Sequence, residues 1–462
     1  MMKFLASFLF SFLLLNAFFL RRPWLFSNIT GSLLAIFSLI VILGLIAFYF
    51  LKSNKTPNIS GPLRSIFHFF VLSILFAIMQ ASELIYRGDL IFSYSVQYVI
   101  DLLICLGFVL ASYYLVRMNL VNFRIPVIAL SFFGLCVSLS NISSALSLTR
   151  LRRFNDGLAA VNYQGNTLAI AAICSLFLVL DSDTLRIKSG FQSIIIRLCL
   201  TASYICCSLA VFLSGSRQAI ASLVFGSLLI LFYSFCHVKF VTASEKNRQS
   251  SLVLLICFTI LLLAFLPSQA TSKFQKLDAS NLVKRLSTDD VISTFENRVR
   301  NRFIDQGLSV VTNNPLDLLF GNPTLYHLIA RESETVQHTT YHPHNIFLSI
   351  YLYSGIPALI LFVRAIYLTT IDFYRLTRIR FSLNKKNAAL QYSEYSQFHL
   401  DRWKQINVIL SYSLVLYISF ILVLIYLFFS GNYTRTFSLF ILWGILLGSM
   451  HKAKSAIASC SS

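Results

Sequence analysis

Two histidines stand directly before a long apolar run, and they are the residues best suited to acid–base chemistry. The chain there reads Tyr341-His342-Pro343-His344-Asn345. Pro343 disfavours a helical His342 and suits a first helical position, so His344 and Asn345 are predicted in the first turn of a membrane helix. That position favours a bound anion and a neutral imidazole, which suits a general base for a hydroxyl. The alternative is a plain turn that caps the helix.

Arginines supply the second kind of candidate chemistry, because a guanidinium group can hold an anion. Three groups stand out: Arg150, Arg152 and Arg153 in a short connection, Arg217 at the start of an apolar run, and Arg298 and Arg300 in the longest polar segment. Positive charge kept on a disfavoured face of the membrane indicates a bound anion. For each arginine the alternative is an interfacial side chain that reaches the lipid headgroups.

Arg298 and Arg300 fall within a segment whose apolar residues recur at helical spacing. Between Asp290 and Asn313 these apolar residues are Val291, Phe295, Val299, Phe303, Ile304, Leu308 and Val311. The spacing predicts an amphipathic helix against the membrane or the bundle. Arg298 and Arg300 each lie about 100° from Val299, on opposite sides, so they flank the apolar stripe.

The composition identifies the elements that must position these residues. The chain has 462 residues, of which 56% are hydrophobic and 12% charged, and a mean hydropathy of +0.72. Such a chain is too apolar for water-soluble domains, so an all-α polytopic membrane protein is predicted. Twelve candidate membrane spans follow from the hydropathy: 4–20, 31–51, 65–81, 91–116, 125–148, 165–181, 193–213, 218–236, 251–267, 344–369, 406–428 and 434–450.

Lysine and arginine counts orient these spans. With a cytoplasmic N-terminus, 22 of the 38 Lys and Arg residues fall on the cytoplasmic side and 16 outside, of which 8 lie in the long loop 268–343. Long loops are discounted in this comparison, so 22 Lys and Arg residues on the cytoplasmic side compare with 8 outside. Both termini are therefore predicted to be cytoplasmic, and loop 268–343 lies outside. The predicted organisation is spans one to nine in 1–267, this loop, and the last three spans in 344–462 with a cytoplasmic loop 370–405.

Several function classes lack support. The net charge of +20 first reflects membrane topology, and no basic stretch is interleaved with exposed aromatic residues, so a nucleic-acid partner is not expected. No zinc-protease, serine-hydrolase or nucleotide-binding motif occurs, and no metal or other cofactor is predicted. Membrane lipid is the nearest anionic partner.

Three segments in order resemble the O-antigen ligase and polymerase superfamily of bacterial envelope glycosyltransferases. They are Ser214-Gly215-Ser216-Arg217-Gln218-Ala219; Arg300-Asn301-Arg302-Phe303-Ile304-Asp305-Gln306-Gly307-Leu308 with Asn314-Pro315-Leu316 and Gly321-Asn322; and His344-Asn345 with Gly355 nine residues further on. A weaker fourth match is Arg153-Phe154-Asn155-Asp156-Gly157, followed by Asn162 and Asn166. The resemblance covers about residues 150–365. Ile304, where the family usually has Trp, and Ala358, where the ligase pattern has Gly, Thr or Tyr, depart from it.

The resemblance implies a membrane glycosyltransferase without nucleotide sugar or metal, in the bacterial inner (cytoplasmic) membrane. Its donor would be a glycan on undecaprenyl pyrophosphate, used at the periplasmic face. Arg217 and Arg300 would hold the pyrophosphate, and His344 would deprotonate the acceptor hydroxyl for an inverting attack. The expected supporting residues are His342, Asn345, Arg153, Arg298 and Arg302.

The sequence leaves the acceptor open. A ligase would pass the glycan to lipid A-core, and the His-Asn-x9-Gly match with the high positive charge favours this reading. A polymerase would extend a second lipid-linked glycan. A protein O-oligosaccharyltransferase shares the motifs but often has a longer soluble C-terminal part. A lipid-linked glycan flippase or other transporter would need charged residues at a midplane cavity and inverted repeats, and neither is evident.

Overall fold

The computed structural model describes most of the predicted spans as α-helices. The described residues are 2–19, 40–41, 43–44, 46–47, 60–86, 92–147, 161–180, 191–214, 216–238, 308, 315–322, 345–390, 397–430 and 436–461. Their helices are α1 (Met2–Phe19), α2 (Gly61–Tyr86), α3 (Phe92–Arg117), α4 (Ile125–Ser147), α5 (Val161–Leu180), α6 (Phe191–Leu213), α7 (Arg217–Val238), α8 (Pro315–Phe320), α9 (Ile346–Leu390), α10 (Gln397–Ser430) and α11 (Phe437–Ser461). Strands are absent from these residues, which confirms the all-α class.

Ten of the predicted spans coincide with described helices. Within the described part of the chain, seven helices are long and apolar enough to cross a membrane. The spans predicted at 251–267 and, for the most part, 31–51 lie outside the described residues. So does loop 268–343 except for residue 308 and the α8 region, so a count of about twelve spans and the amphipathic helix stay predictions.

The helices α9 and α10 extend well beyond the apolar runs that predicted them. The helical backbone of α9 continues to Leu390 and that of α10 begins at Gln397, so most of the segment 370–405 is helical. Hydropathy marks only the part of a helix that lipid or core surrounds, which explains why the apolar runs are shorter than the helices.

The helix α5 is the centre of the bundle around the predicted site. Its span Tyr163–Leu180 is buried along its whole length, although it is no more apolar than the helices that face outward. It packs against α4, α6 and α7. Because α5 has no surface left for lipid, the polar residues at its start point into protein.

The helices α3 and α11 pack in parallel through two glycines spaced four apart. A Cβ on Gly444 would lie 2.7 Å from the Ser112 Cβ, and one on Gly448 would lie 2.8 Å from the Tyr113 carbonyl oxygen. Glycines at this spacing let two membrane helices approach closely. Trp443 then donates a hydrogen bond of 2.9 Å from Nε1 to Thr369 Oγ1, which ties α11 to α9.

The ends of the helices can be assigned to two faces of the bundle. Tyr163, at the start of α5, donates a hydrogen bond to the Ala17 carbonyl near the end of α1. The same hydroxyl lies 3.4 Å from Ser438 Oγ at the start of α11. Since α3 and α11 run in parallel, the start of α3 belongs to this end as well. We call it the motif end, because the segments described next lie there.

Candidate active site at one end of the bundle

The first described motif segment is a tight turn between α6 and α7. Ser214 Oγ donates to the Val211 carbonyl at 2.6 Å and accepts from the Ser216 N–H at 3.2 Å. Ser216 caps α7, since the Ala219 N–H donates to its Oγ at 3.4 Å. Arg217 is the first helical residue after this cap. The serines of the motif therefore fix the backbone at Arg217.

This turn rests directly on the start of α5. A Cβ on Gly165 would lie 2.9 Å from the Ala219 Cβ and 3.1 Å from Ser214 Oγ, which is tighter than ordinary packing. Gly165 therefore allows the turn to approach α5 closely. Because Gly165 lies near Tyr163, the turn and Arg217 belong to the motif end of the bundle.

Polar side chains are buried beside this contact. Gln164 Nε2 donates a hydrogen bond of 3.2 Å to Asn141 Oδ1, which joins α5 to α4. Asn166 is 3% exposed, and its Oδ1 has no hydrogen-bond partner within the described ranges. A buried acceptor without a donor is costly in a protein interior, so Asn166 is a candidate contact for a bound polar molecule.

The second described segment is the start of α9, where Asn345 acts as the helix cap. Its Oδ1 accepts hydrogen bonds from the N–H groups of Phe347 at 2.9 Å and Leu348 at 3.1 Å. The sequence predicted Asn345 in the first turn of this helix. In the structure it lies one residue before α9. The cap explains the residue type, because Asn and Ser are both strong N-cap residues. It also fixes the backbone next to His344.

The helix α9 is interrupted at the glycine that closes this motif. Gly355 has φ 78° and ψ 179°, and Pro357 follows within the same helix. A Cβ on Gly355 would overlap the Leu319 carbonyl oxygen and lie 2.6 Å from its carbon. The end of α8 therefore packs directly on the backbone at the break, where only glycine fits.

A second glycine meets this break from the other side. Gly321, just after α8, has φ 75°, and a Cβ there would lie 2.5 Å from the backbone nitrogens of Ser354 and Gly355. The next residue, Asn322, donates its N–H to the Leu352 carbonyl at 2.6 Å. In an uninterrupted helix the Leu352 carbonyl would accept a hydrogen bond from the Ile356 N–H. The break frees this carbonyl, and the Asn322 N–H just after α8 donates to it instead.

Residues from α2 and α3 hold α8 against α9. Gln80 of α2 donates from Nε2 to the Gly321 carbonyl, and the rings of Phe76 and Phe320 are 4.7 Å apart. Tyr98 of α3 shares a hydrogen bond of 2.6 Å with Ser354 Oγ. Because Tyr98 lies near the start of α3, this junction also belongs to the motif end.

The structure therefore joins segments that the sequence presents separately. Gly321-Asn322 from the loop motif contacts Gly355 from the histidine motif, and the Arg217 turn lies at the same end of the bundle. Gln80 and Tyr98 were not predicted as site residues from the sequence. The signal for Gln80 was present, as a polar residue inside a predicted span, but nothing local identified its partner.

The remaining predicted site residues lie outside the described residues. These are His342, His344, Arg153, Arg298, Arg300 and Arg302. The prediction that Arg217, Arg300 and His344 share one ligand therefore stays a prediction. Within the described ranges, no three His, Cys, Asp or Glu side chains are grouped as metal ligands would be.

Comparison with known proteins adds one finding. The family model described as O-Antigen ligase matches residues 202–363. The chain matches no curated protein and no solved structure. The matched region runs from α6 into α9 and contains the Arg217 turn, α8 and the break at Gly355. The resemblance of this chain to the O-antigen ligase and polymerase superfamily, predicted from its three motifs, is confirmed over residues 202–363.

Proposed function

We propose that this chain is an O-antigen ligase-like glycosyltransferase. It moves a glycan from undecaprenyl pyrophosphate to a hydroxyl of lipid A-core at the periplasmic face of the inner membrane. The observation that carries the proposal is the O-Antigen ligase match over residues 202–363. The described pieces of the motifs support it, because they lie at one end of the bundle rather than scattered along it.

The proposed reaction is a direct displacement at the anomeric carbon. The acceptor oxygen forms a bond to this carbon, the bond to the pyrophosphate oxygen breaks, and the sugar inverts. His344 takes the proton of the attacking hydroxyl, and undecaprenyl pyrophosphate leaves with the bonding electrons. The proposed mechanism needs no metal, because guanidinium groups stabilise the charge that develops on the leaving group.

Arginines hold the pyrophosphate in this proposal. Arg217 is the first residue of the capped helix α7, where free backbone N–H groups add to the positive potential. Arg300 is the second clamp, and the expected helpers are Arg153, Arg298 and Arg302. Two bidentate guanidinium groups fit a diphosphate better than lysines do, because each matches two phosphate oxygens.

The frame around α9 positions the base. Asn345 caps the helix immediately after His344, and His342 is proposed to orient the acceptor. The contact between Gly321 and Gly355 ties the segment that carries the loop motif to the helix that carries the histidine motif. This contact between described residues supports a site in which the loop motif and the histidine motif act together.

The role assigned to Asn345 leads to a test with matched substitutions. We expect Asn345→Ala to lower the free energy of unfolding by about 1 kcal/mol through loss of the cap, and to lower transfer as the backbone at His344 loosens. Asn345→Asp and Asn345→Ser retain a capping oxygen, so both should preserve stability and transfer. Thermal unfolding and a transfer assay measure the two effects. If the Asp and Ser variants are stable yet inactive, the amide contacts substrate directly.

The experiment that tests the function is deletion of the gene with inspection of the lipopolysaccharide ladder. A ligase predicts that the ladder disappears while full-length glycan accumulates on the lipid carrier. A band with a single repeat attached to the core would instead identify a polymerase. Unchanged lipopolysaccharide would contradict the proposal.

An assay of glycan transfer in detergent distinguishes a glycosyltransferase from a transporter. The purified chain in detergent has no two compartments, so a flippase can produce no new glycan linkage there. We expect the detergent-solubilised protein to join a lipid-linked glycan to lipid A-core without nucleotide or divalent metal. Absence of product, with a folded protein and both substrates present, would favour transport.

A further inference from the structure

Cations are concentrated on aromatic rings at the end of the bundle opposite the motif end. Lys452 Nζ of α11 lies 5.5 Å from the centre of the Phe123 ring. Arg124 Cζ lies 5.9 Å from the same centre and 5.9 Å from that of Tyr412 in α10. Two cations therefore share the Phe123 ring, and a turn between α3 and α4 meets α10 and α11 there.

The Tyr113 ring of α3 also has basic side chains beside it. Arg117 Cζ, at the end of α3, lies 5.7 Å from the centre of the Tyr113 ring. The His451 ring is centred 6.2 Å from the same Tyr113 ring. Since His451 and Lys452 are consecutive, the two groups form one feature. We call it the basic cluster, and it consists of Arg117, Arg124, His451 and Lys452.

One guanidinium nitrogen of the basic cluster is buried without a hydrogen-bond acceptor among the described residues. Arg124 Nε is buried and has no hydrogen-bond partner among the described residues. On the same helix as Lys452, half a turn further on, Lys454 does have a carboxylate partner, Asp372 Oδ2 at 2.6 Å. Arg124 Nε therefore differs from Lys454 Nζ, because within the described residues it has no carboxylate at hydrogen-bond distance.

Lys452 and His451 are partly buried and lie near other cations. Burial, followed by the charge of Lys3, lowers the pKa of the Lys452 ammonium group to about 8. Arg117 and Lys454 likewise contribute, after burial, to lowering the pKa of His451. A bound anion would offset this repulsion and satisfy the buried guanidinium N–H, since an opposite charge favours each cationic form.

The surface that continues from Arg124 is apolar and exposed. Ile128 is 41% exposed and Phe132 is 61% exposed. Ile128 and Phe132 are four residues apart on one face of α4. Arg124 directly precedes α4, and its carbonyl accepts a hydrogen bond of 3.1 Å from the Ile128 N–H, which places it at the head of this face. A cation at the head of an exposed apolar stripe fits an amphiphile with an anionic head, whereas a free anion would use the cation alone.

We propose that the basic cluster binds the phosphate of an anionic phospholipid, with an acyl chain lying along Ile128 and Phe132. Arg124 holds two phosphate oxygens through its fork of N–H groups, and Lys452 supplies a second charge. The end of the bundle where α1 begins and α11 ends faces the cytoplasm in the predicted orientation. Basic pockets between helices on that side are typical sites for anionic headgroups.

The wild-type chain provides the first test. Thermal unfolding of the full-length protein in neutral detergent is followed while short-chain phosphatidylglycerol, phosphatidylcholine or inorganic phosphate is added. A ligand that binds only the folded state raises the midpoint, and the rise grows with the ratio of its free concentration to its Kd. We expect phosphatidylglycerol alone to raise it. Equal stabilisation by phosphatidylcholine would overturn a charge-specific site, and equal stabilisation by inorganic phosphate would overturn the lipid as the occupant.

Charge-matched variants provide the second test. Arg124→Gln with Lys452→Gln removes two charges from the basic cluster. Arg64→Gln with Lys454→Gln removes two charges from the same end, where Arg64 is exposed and the Lys454 side chain is 45% exposed. We expect the first pair to weaken phosphatidylglycerol binding roughly 30-fold and the second to leave it nearly unchanged. Similar losses in both pairs would overturn the site. If the first pair does not fold, the lipid preference of the wild-type chain still decides.

Discussion

His344→Ala is expected to lower glycan transfer by about 10²–10⁴-fold while leaving the helical bundle folded. This is the typical contribution of a positioned general base. His344 stands directly before the capped start of α9, and replacing its side chain leaves the Asn345 cap intact. The measurement is the initial rate of transfer by the purified chain, with thermal unfolding recorded in parallel. The unfolding midpoint should change little.

A histidine elsewhere in the bundle serves as the control. His68 lies in α2 and is exposed, so His68→Ala should preserve both transfer and stability. The pH dependence gives a second readout, because a base must be neutral to accept a proton. Wild-type transfer should fall as the pH drops through the titration of the imidazole, and the residual activity of His344→Ala should lose this dependence. A variant within three-fold of the wild-type rate would remove His344 from the mechanism.

Gly355→Ala is expected to have the largest effect on the structure among single methyl additions. The backbone at φ 78° and ψ 179° is essentially restricted to glycine, and the strain alone costs about 1–3 kcal/mol. The new methyl group would also overlap the Leu319 carbonyl. We expect α8 to separate from α9, the free energy of unfolding to fall by about 3 kcal/mol or more, and transfer to be lost. Thermal unfolding and the transfer assay measure both effects.

Two control variants test whether the effect of Gly355→Ala comes from the backbone at this position or from a general sensitivity of the helices to substitution. Gly61→Ala adds a methyl group where no atom lies within 4 Å, so it should be nearly silent. Ser354→Ala removes only the hydrogen bond to Tyr98 and should cost about 1 kcal/mol. If Gly355→Ala is as stable and active as Gly61→Ala, the contact between α8 and α9 is not needed for function.

Sequence reasoning located the helices well because hydropathy is a local property. The start of α4 at Ile125 and the end of α6 at Leu213 coincide with the predicted spans. The reasoning was less accurate at the start of α9. Pro343 suggested a helix that includes His344 and Asn345, but the side chain of Asn345 caps the backbone instead. The residue was identified as important, whereas its contact was not.

The sequence by itself determined the class of the protein, an apolar all-helical bundle, together with the order of the motifs and the family they resemble. Only the tertiary structure decided that Gly321 meets Gly355, that Gln80 and Tyr98 hold this junction, and that Gly165 admits the Arg217 turn. Apolar periodicity and turn residues act within a few positions of the chain. Contacts between helices depend instead on which surfaces pack, and a glycine shows its partner only when that partner's backbone lies against it.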